Sequence, residues 1–234
     1  MKSKIAIALC LISVVGTWGI GIAGNLDTRG GDEGGVFSTV SGISEQEAVA
    51  GFPARVEKTG QTTSYGSRDD GRLRKGVAWP VPRFADNGNG TVTDRLTGLI
   101  WLKNANCGKF FAEDATGQNY RCWNDALKAA NKLKDGYCGL TDSSVAGNWR
   151  LPNSKELYSL IDLGLTHPAL SDAAGTGHWS EGDAFSDVQS FYYWTSTTVA
   201  DNSVYAWVVN FFGGFVNGDD KPSTDCVWPV RGGQ

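Results

Sequence analysis

Cys107, Cys122, Cys138 and Cys226 are the residues whose chemistry depends most on what stands beside them. A thiol can ligate a metal, attack as a nucleophile or close a disulfide. Metal ligation wants close cysteine pairs or nearby histidines. The spacings here are 15, 16 and 88 residues, and His167 and His178 lie near none of the four. The sequence therefore carries no metal-site motif, and no cofactor motif is visible beside it. Nucleophilic chemistry at Cys138 or Cys226 needs a reduced thiol next to a base, and both histidines fall in a Pro/Gly-rich connection. Four cysteines in an exported chain read instead as two disulfides, with three possible connectivities. The pairing taken here is Cys107 with Cys122 and Cys138 with Cys226. The second closes the longer loop and contributes nominally about 4 kcal/mol.

A second group of residues suits recognition. Asp201, Asn202, Tyr205, Asn210, Phe212, Phe215, Asn217, Asp219, Asp220 and Lys221 combine exposed-type aromatics with amides and acids in one short segment. Ring stacking together with directional hydrogen bonds is the chemistry of sugar or protein-surface binding. Strand alternation puts Trp207, Val209 and Phe211 on one face and Ala206, Val208, Asn210 and Phe212 on the other. Trp194, Trp207 and Phe211 are expected to fill the core, which leaves Asn210 and Phe212 to share a surface with the loop residues. The competing reading is an ordinary solvated loop.

Particular elements must hold these residues. Residues 1–24 have the form of a secretory signal: Lys2 and Lys4, an apolar run from Ile5 to Ala23, and small residues at Gly21 and Ala23. Cys10 lies inside that run behind Leu9, which does not fit lipoprotein processing. Residues 25–56 are rich in Gly, Ser and acids and read as a flexible linker, with a short helix drawn at Ser44 to Ala50. The folded domain is expected over 57–234, and eight of the nine tryptophans stand at or after Trp79. Val56 to Val77 is polar and glycine-punctuated, so it reads as irregular structure along the domain. Asp86-Asn-Gly-Asn-Gly90 between Arg83-Phe84 and Thr91–Asp94 predicts a hairpin. A calcium loop there would need oxygen ligands where Gly88 and Gly90 stand. Leu99–Leu102 reads as a buried strand. Trp123, Ala126, Leu127, Ala130 and Leu133 recur at helical spacing up to Gly136. Asn153 is placed to cap a second helix, with Glu156 as its capping-box partner and Leu157, Leu160 and Ile161 as its apolar face. Strands follow at Tyr192–Thr197, Val204–Phe212, Gly214–Asn217 and Cys226–Val230. Helices followed by strands of this kind make an α+β domain.

Five ordered blocks carry a family resemblance. They are Arg83-Phe-Ala-Asp-Asn-Gly-Asn-Gly-Thr-Val-Thr-Asp94 with Leu96-Thr-Gly-Leu-Ile-Trp101, Trp149-Arg-Leu-Pro-Asn153 with Glu156-Leu157, Tyr193-Trp-Thr-Ser-Thr-Thr198, Ala206-Trp-Val-Val-Asn-Phe211, and Pro229-Val-Arg-Gly-Gly233. Together they resemble the DUF1566 family, also called the Lcl C-terminal domain family, from about Thr59 onward. The resemblance implies a C-type-lectin-like fold: two helices packed on a small, twisted, mostly antiparallel sheet with long loops, its last strands presenting a binding surface. The family's namesake binds sulfated glycosaminoglycans through a collagen-linked module. This chain has no Gly-X-Y repeats and is acidic, which argues against sulfated ligands. Trp123-Asn124-Asp125 stands at a helix start, so calcium binding by lectin-type motifs is not carried over.

Charge narrows the partners further. The formal charge is −4 and becomes −6 once the two signal lysines are removed, which disfavours nucleic acid. No segment after the signal is apolar enough to span a membrane. The expected function is an exported, non-catalytic module that binds a carbohydrate or a protein surface through its C-terminal β face. A structural or accessory subunit of an envelope assembly is the alternative. An enzyme resembling formylglycine-generating enzymes, working through Cys138 or Cys226, is the third reading.

Overall fold

The computed structural model describes residues 56–107 and 119–232. The expected signal segment, linker and Ser44–Ala50 helix lie outside these residues. Among the described residues no helix is long and apolar enough to cross a membrane. In chain order the elements are α1 (Asp70–Leu73), β1 (Phe84–Asp86), β2 (Thr91–Asp94), β3 (Ile100–Leu102), β4 (Tyr120–Arg121), α2 (Trp123–Lys132) and α3 (Ser154–Tyr158). They continue with β5 (Tyr192–Thr198), β6 (Tyr205–Asn210), β7 (Phe215–Asp220), β8 (Asp225–Cys226) and β9 (Val230–Arg231).

The architecture is α+β, with two sheets where one was expected. One sheet has the order β1-β2-β3-β9 and the other β4-β8-β5-β6-β7. All pairings are antiparallel except β5 with β8. The division falls inside a segment that reads as one strand, Cys226–Val230. Pro229 has no N–H to continue a ladder, and its carbonyl accepts instead from Leu102 N at 3.1 Å. Cys226 therefore ends β8 in one sheet and Val230 begins β9 in the other. Trp228, between them, becomes the hub of the core. Its indole N–H donates to Leu102 O at 2.8 Å, and its ring packs on Trp101, Phe185, Tyr193 and Phe211 with centroids 4.9–5.8 Å apart.

The helices are shorter than two full supports would be, and only α2 runs to ten residues. It buries Ala126 and Ala130 against Trp194, Ala206, Val208 and Val227, on one face of the larger sheet. The opposite face packs Tyr193, Val209 and Phe211 into the main core. Small alanines let α2 lie close to the strands. Trp207, expected in this core, is only half-buried, because both faces of β6 are already filled by its neighbours.

The Trp149–Asn153 block owes its composition to a polar clamp. Asn153 Oδ1 accepts from the Lys155 and Glu156 amides, and Glu156 Oε2 accepts from the Asn153 amide, which completes the expected capping box. Arg150 grips the same carboxylate with two bonds of 2.7 Å and donates to Gly232 O at 3.0 Å. Two parallel charge-assisted bonds of this kind fix orientation as well as energy. The helix start is thereby tied to the last residues of the chain.

The predicted hairpin forms between β1 and β2, and its turn leans on the segment after α2. Gly90 has φ +81°, and a Cβ there would meet Gly139 O at 2.4 Å, so only glycine fits. Asn89 O accepts from Thr141 N at 3.0 Å. This approach carries Cys138 to the loop that follows β3, where it bonds Cys107. The disulfide reading is thus corrected: Cys107 pairs with Cys138, neither with Cys122, and Cys226 is a buried free thiol.

Candidate binding surface

The candidate residues from Asp201 to Lys221 lie on and around the β6–β7 hairpin, which separates them into two groups. The register runs from Tyr205 opposite Asp220 to Asn210 opposite Phe215. Five steps of about 3.4 Å put the two ends roughly 17 Å apart. Asn217, opposite Val208, lies between them.

At the open end the polar groups are largely occupied by one another. Asn202 Oδ1 accepts from the Val204 amide and Asn217 Oδ1 from the Gly218 amide. Asp220 hydrogen-bonds Tyr205 and raises its phenol pKa. Lys221 donates to Thr198 Oγ1 and Ser203 O and sits 4.1 Å over the Trp123 ring. Asp201 is exposed. Asp219 turns toward Asp225, whose carboxyl is 2% exposed. Burial pushes the Asp225 pKa to about 7, and the charge of Asp219 adds to the rise.

At the turn end Asn210 is corrected from ligand candidate to scaffold. It is 6% exposed, and its Oδ1 accepts from the Phe212 and Gly213 amides at 2.8 and 3.2 Å. It holds the turn that presents Phe212 and Phe215. Phe212 is exposed against the ring of His167. Phe215 belongs to a strip of rings that crosses the sheet. Its centroid is 6.2 Å from Tyr192 on β5, Tyr192 is 5.6 Å from Phe191, and Phe191 is 5.7 Å from Tyr120 on β4. All three contacts are edge-to-face, the arrangement that ring quadrupoles favour. Phe191 and Phe215 remain 42% and 46% exposed.

Phe191, Tyr192 and Tyr120 are absent from the sequence-based candidates. A signal was present in Phe191-Tyr-Tyr-Trp194: four consecutive aromatics at a strand start cannot all enter one core, because alternate side chains point to opposite faces. Tyr120 has no such signal, since its place in the strip depends on β4 pairing with β8.

Cys226 bears on catalysis. It stands opposite Tyr120 and Tyr193 in the sheet, and burial pushes its thiol pKa to about 12. A group that holds its proton this firmly supplies almost no thiolate at neutral pH. Alkylation of the native protein should therefore leave the Cys226 peptide unlabelled, with labelling only after unfolding. Rapid native labelling, read by peptide mass, is the contrary result.

A comparison with curated proteins finds no match. The profile of the Lcl C-terminal domain matches residues 90–231. That span takes in β2 and β3, the Arg150–Glu156 clamp, the Cys107–Cys138 bond and the whole aromatic strip. The chain belongs to the Lcl C-terminal domain family.

Proposed function

We propose that this chain is an exported binding module of C-type-lectin-like fold, without catalytic activity, that recognises a carbohydrate or a protein surface through the rings of its larger sheet. The observation that carries the reading is the strip of Tyr120, Phe191, Tyr192 and Phe215, with two rings more than 40% exposed. Soluble proteins seldom leave contiguous aromatics open to water without a partner for them. Edge-to-face packing pre-orients the rings, so little side-chain entropy is lost when a sugar face or an apolar side chain stacks on them. The fold reading is supported by α2 and α3 packing beside the sheet that ends in the hairpin. Export is supported by the basic-then-apolar start of the sequence and by the Cys107–Cys138 bond. The non-catalytic reading is supported by the burial of Cys226.

A glycan array probed with oxidised protein, beside the Phe191→Ala/Phe215→Ala variant, tests the site. Specific signals are expected for the parent and should fall at least about tenfold in the variant, since a buried aromatic contact is worth roughly 1–3 kcal/mol. Signals that survive both substitutions would place recognition elsewhere. A blank array with capture of a protein partner by the parent alone would assign the strip to protein recognition.

A further inference from the structure

The segment before the family-matched region builds one wall of a cleft of about 390 Å³. Thr59 to Thr62 and α1 form that wall. Trp79 closes one side, and the loops at Asp162–Leu165 and Gly175–Gly177 form the other. The wall is built deliberately. Thr59 Oγ1 donates to Asp70, Leu163 N donates to Thr59 O at 2.8 Å, and Trp79 Nε1 donates to Lys58 O at 3.0 Å. Gly60 has φ +87°, and a Cβ there would lie 2.1 Å from Asp162 Oδ1. The chain passes so close to this carboxylate that only glycine fits.

Asp162 is the unexplained group. Its side chain is 6% exposed yet lines the cleft. Oδ1 accepts from the Gly164 amide at 2.8 Å, while Oδ2 accepts no hydrogen bond from any described residue. Among those residues no cation pairs with it. Arg83 has its ion pair with Asp94 at 3.6 Å and stacks on the Trp79 ring at 4.1 Å, so its charge acts on Asp162 without bonding it. Arg74 spends its donors on Gly71 O and Thr62 O, and Lys58, which also lines the cleft, makes no salt bridge to it. Burial raises the Asp162 pKa, and the Gly164 amide and the more distant Arg83 and His178 charges offset the rise only in part. A desolvated carboxylate with an open oxygen gains most from a donor that also carries positive charge.

We propose that this cleft is a binding site for the primary ammonium group of a small amine, held by Asp162 Oδ2, with Asp70 and the Trp79 indole lining its approach. The site shares no residue with the aromatic strip and adds a second recognition function to the domain.

The full chain is titrated with 1,5-diaminopentane, 1,5-pentanediol and tetramethylammonium, with binding read by calorimetry and by thermal shift. The diamine is expected to bind and to raise the melting temperature. The diol, which lacks charge, and the quaternary ion, which lacks N–H donors, are expected to do neither. Asp162→Asn should weaken diamine binding about 10- to 100-fold, the worth of one hydrogen bond to a charged group. Thr176→Trp fills the cleft from its exposed rim without touching Asp162, and should abolish binding while the circular dichroism spectrum stays that of the parent. Equal binding of diol and diamine, unchanged affinity in either variant, or no binding of the diamine at millimolar concentration would each overturn the assignment.

Discussion

Asp225→Asn is expected to flatten the fall in thermal stability between about pH 4 and pH 7 and to leave the variant more stable than the parent at pH 8. In the unfolded chain Asp225 titrates near 3.8, and in the fold near 7. Between those values the folded protein keeps a proton that the unfolded chain has released. Raising the pH then favours unfolding. The contribution is intact below pH 4, is lost through the window and is constant above it. A three-unit separation corresponds to about 4 kcal/mol as an order of magnitude. Asparagine keeps the shape and can still donate to Asp219, but it has no charge to bury. Asp162 titrates in the same direction, so the informative quantity is the difference between parent and variant. Identical pH slopes in urea denaturation of the two proteins would show that the Asp219–Asp225 pair does not store this energy. Asp69, Asp86 and Glu156, all held below the usual carboxylate range by hydrogen bonds, contribute stability that is lost only at more acid pH.

Removing the Cys107–Cys138 bond by paired substitution to serine should cost about 3–4 kcal/mol, the loop-closure value for its sequence separation of 31. The loss comes mainly from the greater freedom of the unfolded chain, so the spectrum of the folded variant should match the parent. Equilibrium denaturation of the oxidised parent and the oxidised variant checks this: the variant should lie below the parent. A variant as stable as the oxidised parent would mean that the bond is a consequence of the fold and adds nothing to it. Because Cys107 lies in the loop that follows β3 and Cys138 lies beside the hairpin turn at Gly90, the cost should fall on the smaller sheet first.

Elements set by local chemistry were legible from residue order. The hairpin follows from Asp86-Asn-Gly-Asn-Gly90, and Asp86 does accept from the Gly88 amide at 3.0 Å. The capping box at Asn153 and Glu156 follows from their three-residue spacing. Alternation put Trp207, Val209 and Phe211 on one face; Val209 and Phe211 share one core cluster, and Trp207 stays half-buried outside it. Asn210 was misplaced although its partners are local: it accepts from the Phe212 and Gly213 amides, in a turn that strand alternation carried through Phe212 did not anticipate. Residues whose role depends on a distant partner were misplaced as well. The cysteines offered three pairings, and the deciding contact is an approach of Gly90 to Gly139 that no spacing encodes.

What residue order by itself determined is the α+β class, the hairpin, the capping box at Asn153, the strands β5 to β7 and the family, because turn types, caps and periodicity act over a few residues. The helix α1, in a stretch read as irregular, and β4 were not among the expected elements. What only the tertiary structure decided is the division of Cys226–Val230 between two sheets, the Cys107–Cys138 bond, the ring strip from Tyr120 to Phe215 and the cleft around Asp162. Each of these joins residues tens of positions apart, and such contacts form only when packing has closed the loops between them.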